Sequence, residues 1–143
     1  MHIELITPEG SAYSGEASSV TLPSGGGEIT ILKHHVALVS TVDSGTMIIR
    51  TDDGKELVFA VTRGVVHVDG PVVRVLSDIA DRAENLEESV IMQARKRAED
   101  LRELRRGDAE GFAEATAVLE RELARLTSVR RLRARRRPSI SGN

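Results

Sequence analysis

From His2 to about Ile79 the apolar residues fall in runs of four to seven, separated by Gly, Pro, Ser and Asp-Gly pairs. Such short, punctuated runs are the pattern of strands. In LVFAV at 57–61, Leu57, Phe59 and Val61 recur at period two and share one face. TDDGKE at 51–56 carries Asp53-Gly54 between two apolar runs and predicts a hairpin turn. VVHVDGPVVRVL at 65–76 predicts a second turn at Asp69-Gly70-Pro71. About eight strands are expected within some 80 residues, a spacing that points to an antiparallel sandwich or flattened barrel. No helical pattern of ten or more residues interrupts them, which argues against a parallel α/β sheet.

Near residue 84 the period changes. Asn85 followed by Glu88 resembles a helix N-cap with its reciprocal carboxylate. Leu86, Val90, Ala94, Ala98, Leu101 and Leu104 then recur every three or four residues, and Gly107 ends the run after Arg105-Arg106. Asp108 stands where a second helix would be capped, with Phe112, Ala115, Leu119, Leu123, Leu126 and Val129 as its stripe. So short a break predicts an antiparallel helical hairpin. Both stripes are thin and rich in Ala, suited to one close neighbour rather than a deep core. The expected organisation is a β-sandwich at 1–83, a helix-turn-helix hairpin at 84–137 and a disordered tail at 138–143.

Composition narrows the function classes. The chain has 143 residues, 40% of them hydrophobic and 29% charged, as in soluble globular proteins. One Tyr, two Phe and no Trp make a poor set for stacking bases. The absence of Cys rules out disulfides, thiolate nucleophiles and Cys-ligated metals. No apolar stretch approaches the length of a membrane span. Charge is unevenly placed: residues 1–83 hold 11 acids against 6 Lys and Arg, whereas 84–143 hold 11 acids against 14. The last 14 residues contain six Arg and no acid.

The candidate chemical motifs are weak. The glycines at 25–27 run into Glu28, whose carboxylate repels phosphate, and no G-x-x-x-x-G-K-[ST] pattern or helix follows. A connection between strands explains them. His34 and His35 are adjacent, which on a strand points them to opposite faces, so no metal site is expected. The serines lie in turns without a nucleophile elbow, and no acid/base pair assembles. Neither a catalytic centre nor a cofactor is expected. The segment VRRLRARRR at 129–137 leaves three readings: a solvated helix end, a nucleic-acid contact, or a dock for an acidic protein surface.

Taken in order, these features resemble the epsilon subunit of bacterial F-type ATP synthases. Gly27, Glu28, Ile31, Leu32, His35 and Leu38 match that family's G-E-x-G-I-L-P-G-H-A-P-L segment. RGVVHV at 63–68, VLSDIADRAENLEE at 75–88 and MQARKRAED at 92–100 resemble its later strand, its junction and its first helix. Lys33-His34 and Val36-Ala37 depart from the family's Pro-Gly and Ala-Pro. The family's ATP-binding I/L-D-x-x-R-A motif is degenerate here: Leu86, Glu87 and Val90 stand where Leu, Asp and Arg would, so no nucleotide site is expected.

The resemblance implies a non-catalytic rotor subunit at the cytoplasmic face of the bacterial inner membrane. It implies gamma, the c-ring and the alpha/beta catalytic head as partners, with the membrane reached only through the complex. It makes Glu28 and His35 candidates for the c-ring contact. It also makes the hairpin a regulator of ATP hydrolysis that either folds on the sandwich or extends. Arg130, Arg131, Arg133 and Arg135 are then candidates for an acidic contact on the head. The competing expectation is a stand-alone regulatory module whose Arg-rich end binds nucleic acid.

Overall fold

A computed structural model of the chain describes residues 1–136. The expected tail at 138–143 lies outside the described residues. Ten strands form two five-stranded sheets. The strands are β1 (His2–Thr7), β2 (Gly10–Glu16), β3 (Ser19–Ser24), β4 (Gly27–Leu32), β5 (Leu38–Val42), β6 (Gly45–Arg50), β7 (Glu56–Val61), β8 (Gly64–Asp69), β9 (Val72–Ser77) and β10 (Ala80–Arg82). One sheet has the order β2-β1-β9-β8-β5 and the other β10-β7-β6-β3-β4. Every pairing is antiparallel except β1 with β9. The strand number exceeds the eight expected. Two of the ten carry little apolar signal: β2 buries no residue and β10 has three residues.

The core lies between the sheets, filled by Ile3, Leu5, Val20, Leu22, Ile31, Met47, Ile49, Phe59, Val61, Val66 and Val75 among others. Leu57, Phe59 and Val61 face this core together, as their alternation requires. The turns follow their sequence signals. Gly54 (φ 87°) closes the β6–β7 hairpin and Gly70 (φ 58°) the β8–β9 hairpin, both in the left-handed region that glycine tolerates. Gly25 and Gly26 form the two-residue link between Ser24 and Gly27, the last pair of the β3–β4 ladder.

A 3-10 turn (Ala83–Asn85) joins the sandwich to α1 (Glu88–Leu104) and α2 (Ala109–Arg136). Asn85 is therefore not the cap of α1. Ala83 is buried against Ile48 and Val58, and the Leu86 amide donates to the Ala83 carbonyl at 3.1 Å. That anchor holds the chain in the 3-10 turn, and Glu87, with no side-chain cap bond, precedes the helix. The two helices form an antiparallel hairpin. α1 packs chiefly on α2, and α2 lies across β6 and β7.

The stripes differ from expectation at several positions. On α1 Ile91 and Ala98 are buried, but Val90, Leu101 and Leu104 face solvent. On α2 Ala115, Leu119, Leu126 and Val129 are buried as expected, while Phe112 and Leu123 are exposed. Glu122, Ala124 and Ser128 are buried instead. The reason is geometric: α2 has two covered faces. Leu126 and Val129 meet Ile91 and Leu86, while Ser128 and Leu132 meet the sheet. Among the described residues no helix is long and apolar enough to cross a membrane.

Candidate functional site: the arginine end of the helical arm

The route of α2 over the sheet is marked by polar contacts. Near its middle Glu120 accepts from Arg63 at 3.0 Å. Arg125 reaches Asp81 at 2.8 Å and Glu122 at 2.6 Å. Burial works against the charge of Arg125, yet the hydrogen bond and charge of Asp81, joined by Glu122, outweigh it and raise its pKa. Ser128 then lies fully buried against the strands. Its hydroxyl donates to the Ala124 carbonyl at 2.8 Å, which leaves its oxygen to accept from Thr46 at 2.9 Å. Leu132 follows, on a small apolar patch of Ile48, Val58 and Ala83.

Around Leu132 the contact is mainly ionic. Arg131 and Arg135 are four apart and share the face toward the sheet. Arg131 forks onto Glu28, Nη1 to Oε1 at 2.6 Å and Nη2 to Oε2 at 3.1 Å. Arg135 donates through Nε and Nη2 to both carboxylate oxygens of Glu56, and Arg50 reaches the same group at 2.7 Å. Arg130 and Arg133, three apart, converge on Glu88 in the first turn of α1 at 3.1 and 2.8 Å. Arg136 lies 3.5 Å from Glu84.

These partners reshape the titration of the acids. The hydrogen bond from Arg135, seconded by that from Arg50, lowers Glu56 to about 2. Arg131 lowers Glu28 in the same way. Glu88 is lowered chiefly by the hydrogen bond from Arg130, with the charge of Arg133 adding to it.

The structure brings some candidates together and separates others. Glu28 and Arg131, expected to meet different neighbours, bind each other. Glu28 and His35 stand at opposite ends of β4, with Glu28 under the arm. His34 and His35 are in a turn rather than on a strand, and His34 has a φ of 66°. His35 Nδ1 lies 2.7 Å from the Val36 carbonyl, and Lys33 pairs with Asp52 at 3.1 Å. Leu86 packs with Ile91, Leu126 and Val129, Glu87 precedes α1, and Val90 is exposed. Among the described residues no group of three or more His, Asp or Glu is placed to hold a metal ion.

Several participants were not singled out by the sequence reading: Thr46, Arg50, Glu56, Glu84 and Ser128. One signal was available. MII at 47–49 and LVFAV at 57–61 are continuous apolar runs, the mark of strands covered on both faces. β6 and β7 are covered in that way, by the core on one side and α2 on the other.

The fold is that of a β-sandwich bearing a helical arm, joined to it by arginine–carboxylate pairs. Residues 1–83 match the family described as the beta-sandwich domain of the ATP synthase delta/epsilon chain. The chain belongs to the ATP synthase epsilon-chain family. It is 39% identical over 135 residues to the ATP synthase epsilon chain of Bordetella avium, covering 93% of this chain and 94% of the relative. The epsilon chain of Acinetobacter baumannii strain ATCC 17978 is 35% identical over 135 residues, covering 94% and 96%. Among solved structures, a chain in the Euglena gracilis mitochondrial ATP synthase (OSCP/F1/c-ring) has a similar fold. Its TM-score is 0.72 at 18% identity, covering 85% of this chain and 76% of that one.

Proposed function

We propose that this chain is a non-catalytic rotor subunit in the central stalk of a rotary ATP synthase. It contacts gamma and the c-ring through its sandwich and regulates ATP hydrolysis through its helical arm. It is peripheral, at the cytoplasmic face of the bacterial inner membrane, and meets the membrane only through the complex. The observation that carries this reading is the match to epsilon chains along nearly the whole chain, arm included. That match favours the rotor reading over a stand-alone module that binds nucleic acid.

Within this reading the chain divides into a gripping unit at 1–83 and a movable arm at 84–137. His35, on an open loop with Lys33 and His34, is the more accessible c-ring candidate, since Arg131 covers Glu28 while the arm is down. Arg130, Arg131, Arg133 and Arg135 are the contacts offered to an acidic segment of the head once the arm extends. The fold suits such a movement. The arm rests on one small apolar cluster outside the sandwich core and on exchangeable polar contacts, while a second cluster holds its two helices to each other. Two packings of one segment that differ by about a few kcal/mol are what a switch needs.

Truncation after Val129 in the assembled synthase tests the arm's role. ATP hydrolysis should rise while the truncated chain still co-purifies with gamma and the c-ring. Unchanged hydrolysis in an intact complex would remove the inhibitory role.

A further inference from the structure

The arm is held differently along its length. Between Arg125 and Leu132 it is fastened by a buried hydroxyl pair and a small apolar patch. From Arg130 onward, Arg130, Arg131, Arg133 and Arg135 all end on carboxylates of the same chain. Those carboxylates come from three separate places: Glu28 on β4, Glu56 at the start of β7 and Glu88 at the start of α1. Glu28 and Glu56 belong to the sandwich and meet Arg131 and Arg135 only when the arm lies on it, whereas Glu88 belongs to the arm itself and ties α2 to α1. The forked geometry at Glu28 and Glu56 is the one in which arginine binds carboxylates best.

We propose that Glu28 and Glu56 on the sandwich, with Glu88 on the first helix of the arm, form a clasp that stores the arginines of α2 while the hairpin is closed and docked. An acidic partner must then displace these carboxylates to gain the same guanidinium groups. The clasp and the partner compete for one set of donors, so the arm cannot be docked on both. The partner's identity rests on the rotor reading above, whereas the clasp rests on this chain alone. Because the pairs lie at the surface, they are weak singly and open to screening by salt. The arm's docked population should therefore respond to ionic strength and above all to the charge of Glu28 and Glu56.

The chain lacks cysteine, so spin labels can be placed at will. Labels at Thr127→Cys on α2 and Asp69→Cys on the β8–β9 turn, both exposed, report the arm's position by pulsed dipolar spectroscopy. The full chain with native charges should give one narrow distance, with the released form below about 10%. E28Q/E56Q/E88Q should make a second, longer distance a major population. Raising KCl to about 0.5 M, where the screening length falls to roughly 4 Å, should move the native-charge chain the same way. A narrow, unchanged distribution in the triple variant at both salt levels overturns the clasp.

E28R alone should also release the arm, and the charge swap E28R/R131E should return it. Failure of the swap to restore a released arm counts against the pairing as well, and this pair keeps the test open if the triple variant does not fold. In the assembled synthase, the triple variant should hydrolyse ATP more slowly than the native chain, with no difference once both are truncated after Val129. Release in the isolated chain with unchanged hydrolysis upholds the clasp and overturns the arm's inhibitory role.

Discussion

Two residues show how single positions are set by what lies against them. A Cβ on Gly64 would stand 1.7 Å from the Leu76 carbonyl oxygen on the neighbouring strand, so any side chain there forces β8 and β9 apart. Gly64→Ala should cost on the order of 3 kcal/mol, read as a lower urea midpoint with an unchanged slope. Glu56 makes the case for charge. Its folded pKa of about 2 lies below the ordinary 4.5 because Arg135 and Arg50 bind its ionised form. A depressed carboxyl stabilises the docked arm fully above its undocked pKa. That support is lost as pH falls from about 4.5 toward about 2. A carbon-13 titration of the Glu56 carboxyl should find its midpoint near about 2 in the native chain, and R135Q should raise it. A midpoint already at 4.5 in the native chain would mean that the arginines do not bind there.

At the scale of elements, α2 is the informative one. Its existence, its partner helix and the break at Gly107 were legible, because apolar residues at three- and four-residue spacing leave little else for the segment to be. Its second buried face was not. Glu122 and Ser128 interrupt the apolar stripe, and polar residues are read as solvent-facing unless a neighbour is known. The neighbour is the outer face of β6 and β7, where Thr46 meets Ser128. Ser128→Ala leaves the buried Thr46 hydroxyl without its acceptor on α2. The cost should be about 1 kcal/mol, seen as an increase of about fivefold in hydrogen exchange of α2 amides. Adding T46V to S128A should recover most of that loss, because the unmet donor is then gone. The start of α1 lies two residues later than the Asn85 cap implies, for a related reason: the burial of Ala83 against the sheet outranks the capping potential of Asn85.

For the whole molecule, the main core is made by the sandwich alone. The clusters that involve the arm lie outside it. A chain ending at Leu86 should therefore remain folded, with cooperative urea unfolding and a far-ultraviolet spectrum dominated by strand. Loss of cooperativity in that truncation would mean that the arm is part of the fold rather than an attachment to it. The expected division into a rigid unit and a movable one rests on that experiment.

What the sequence determined by itself was local. Alternating apolar residues, Asp-Gly and Gly-Pro turns and a change of period near residue 84 specify a β-sandwich followed by a helical hairpin, because each depends on the residues next to it. The arginine cluster was equally plain as a cluster. Its partners were not, since Glu28 and Arg131 are 103 residues apart in the chain and Glu56 and Arg135 are 79 apart. Nothing in the spacing of either set says which acid meets which arginine. Only the folding of α2 back across β6 and β7 brings them within hydrogen-bond reach, and with that contact the tertiary structure decides which charges are in use and which remain free.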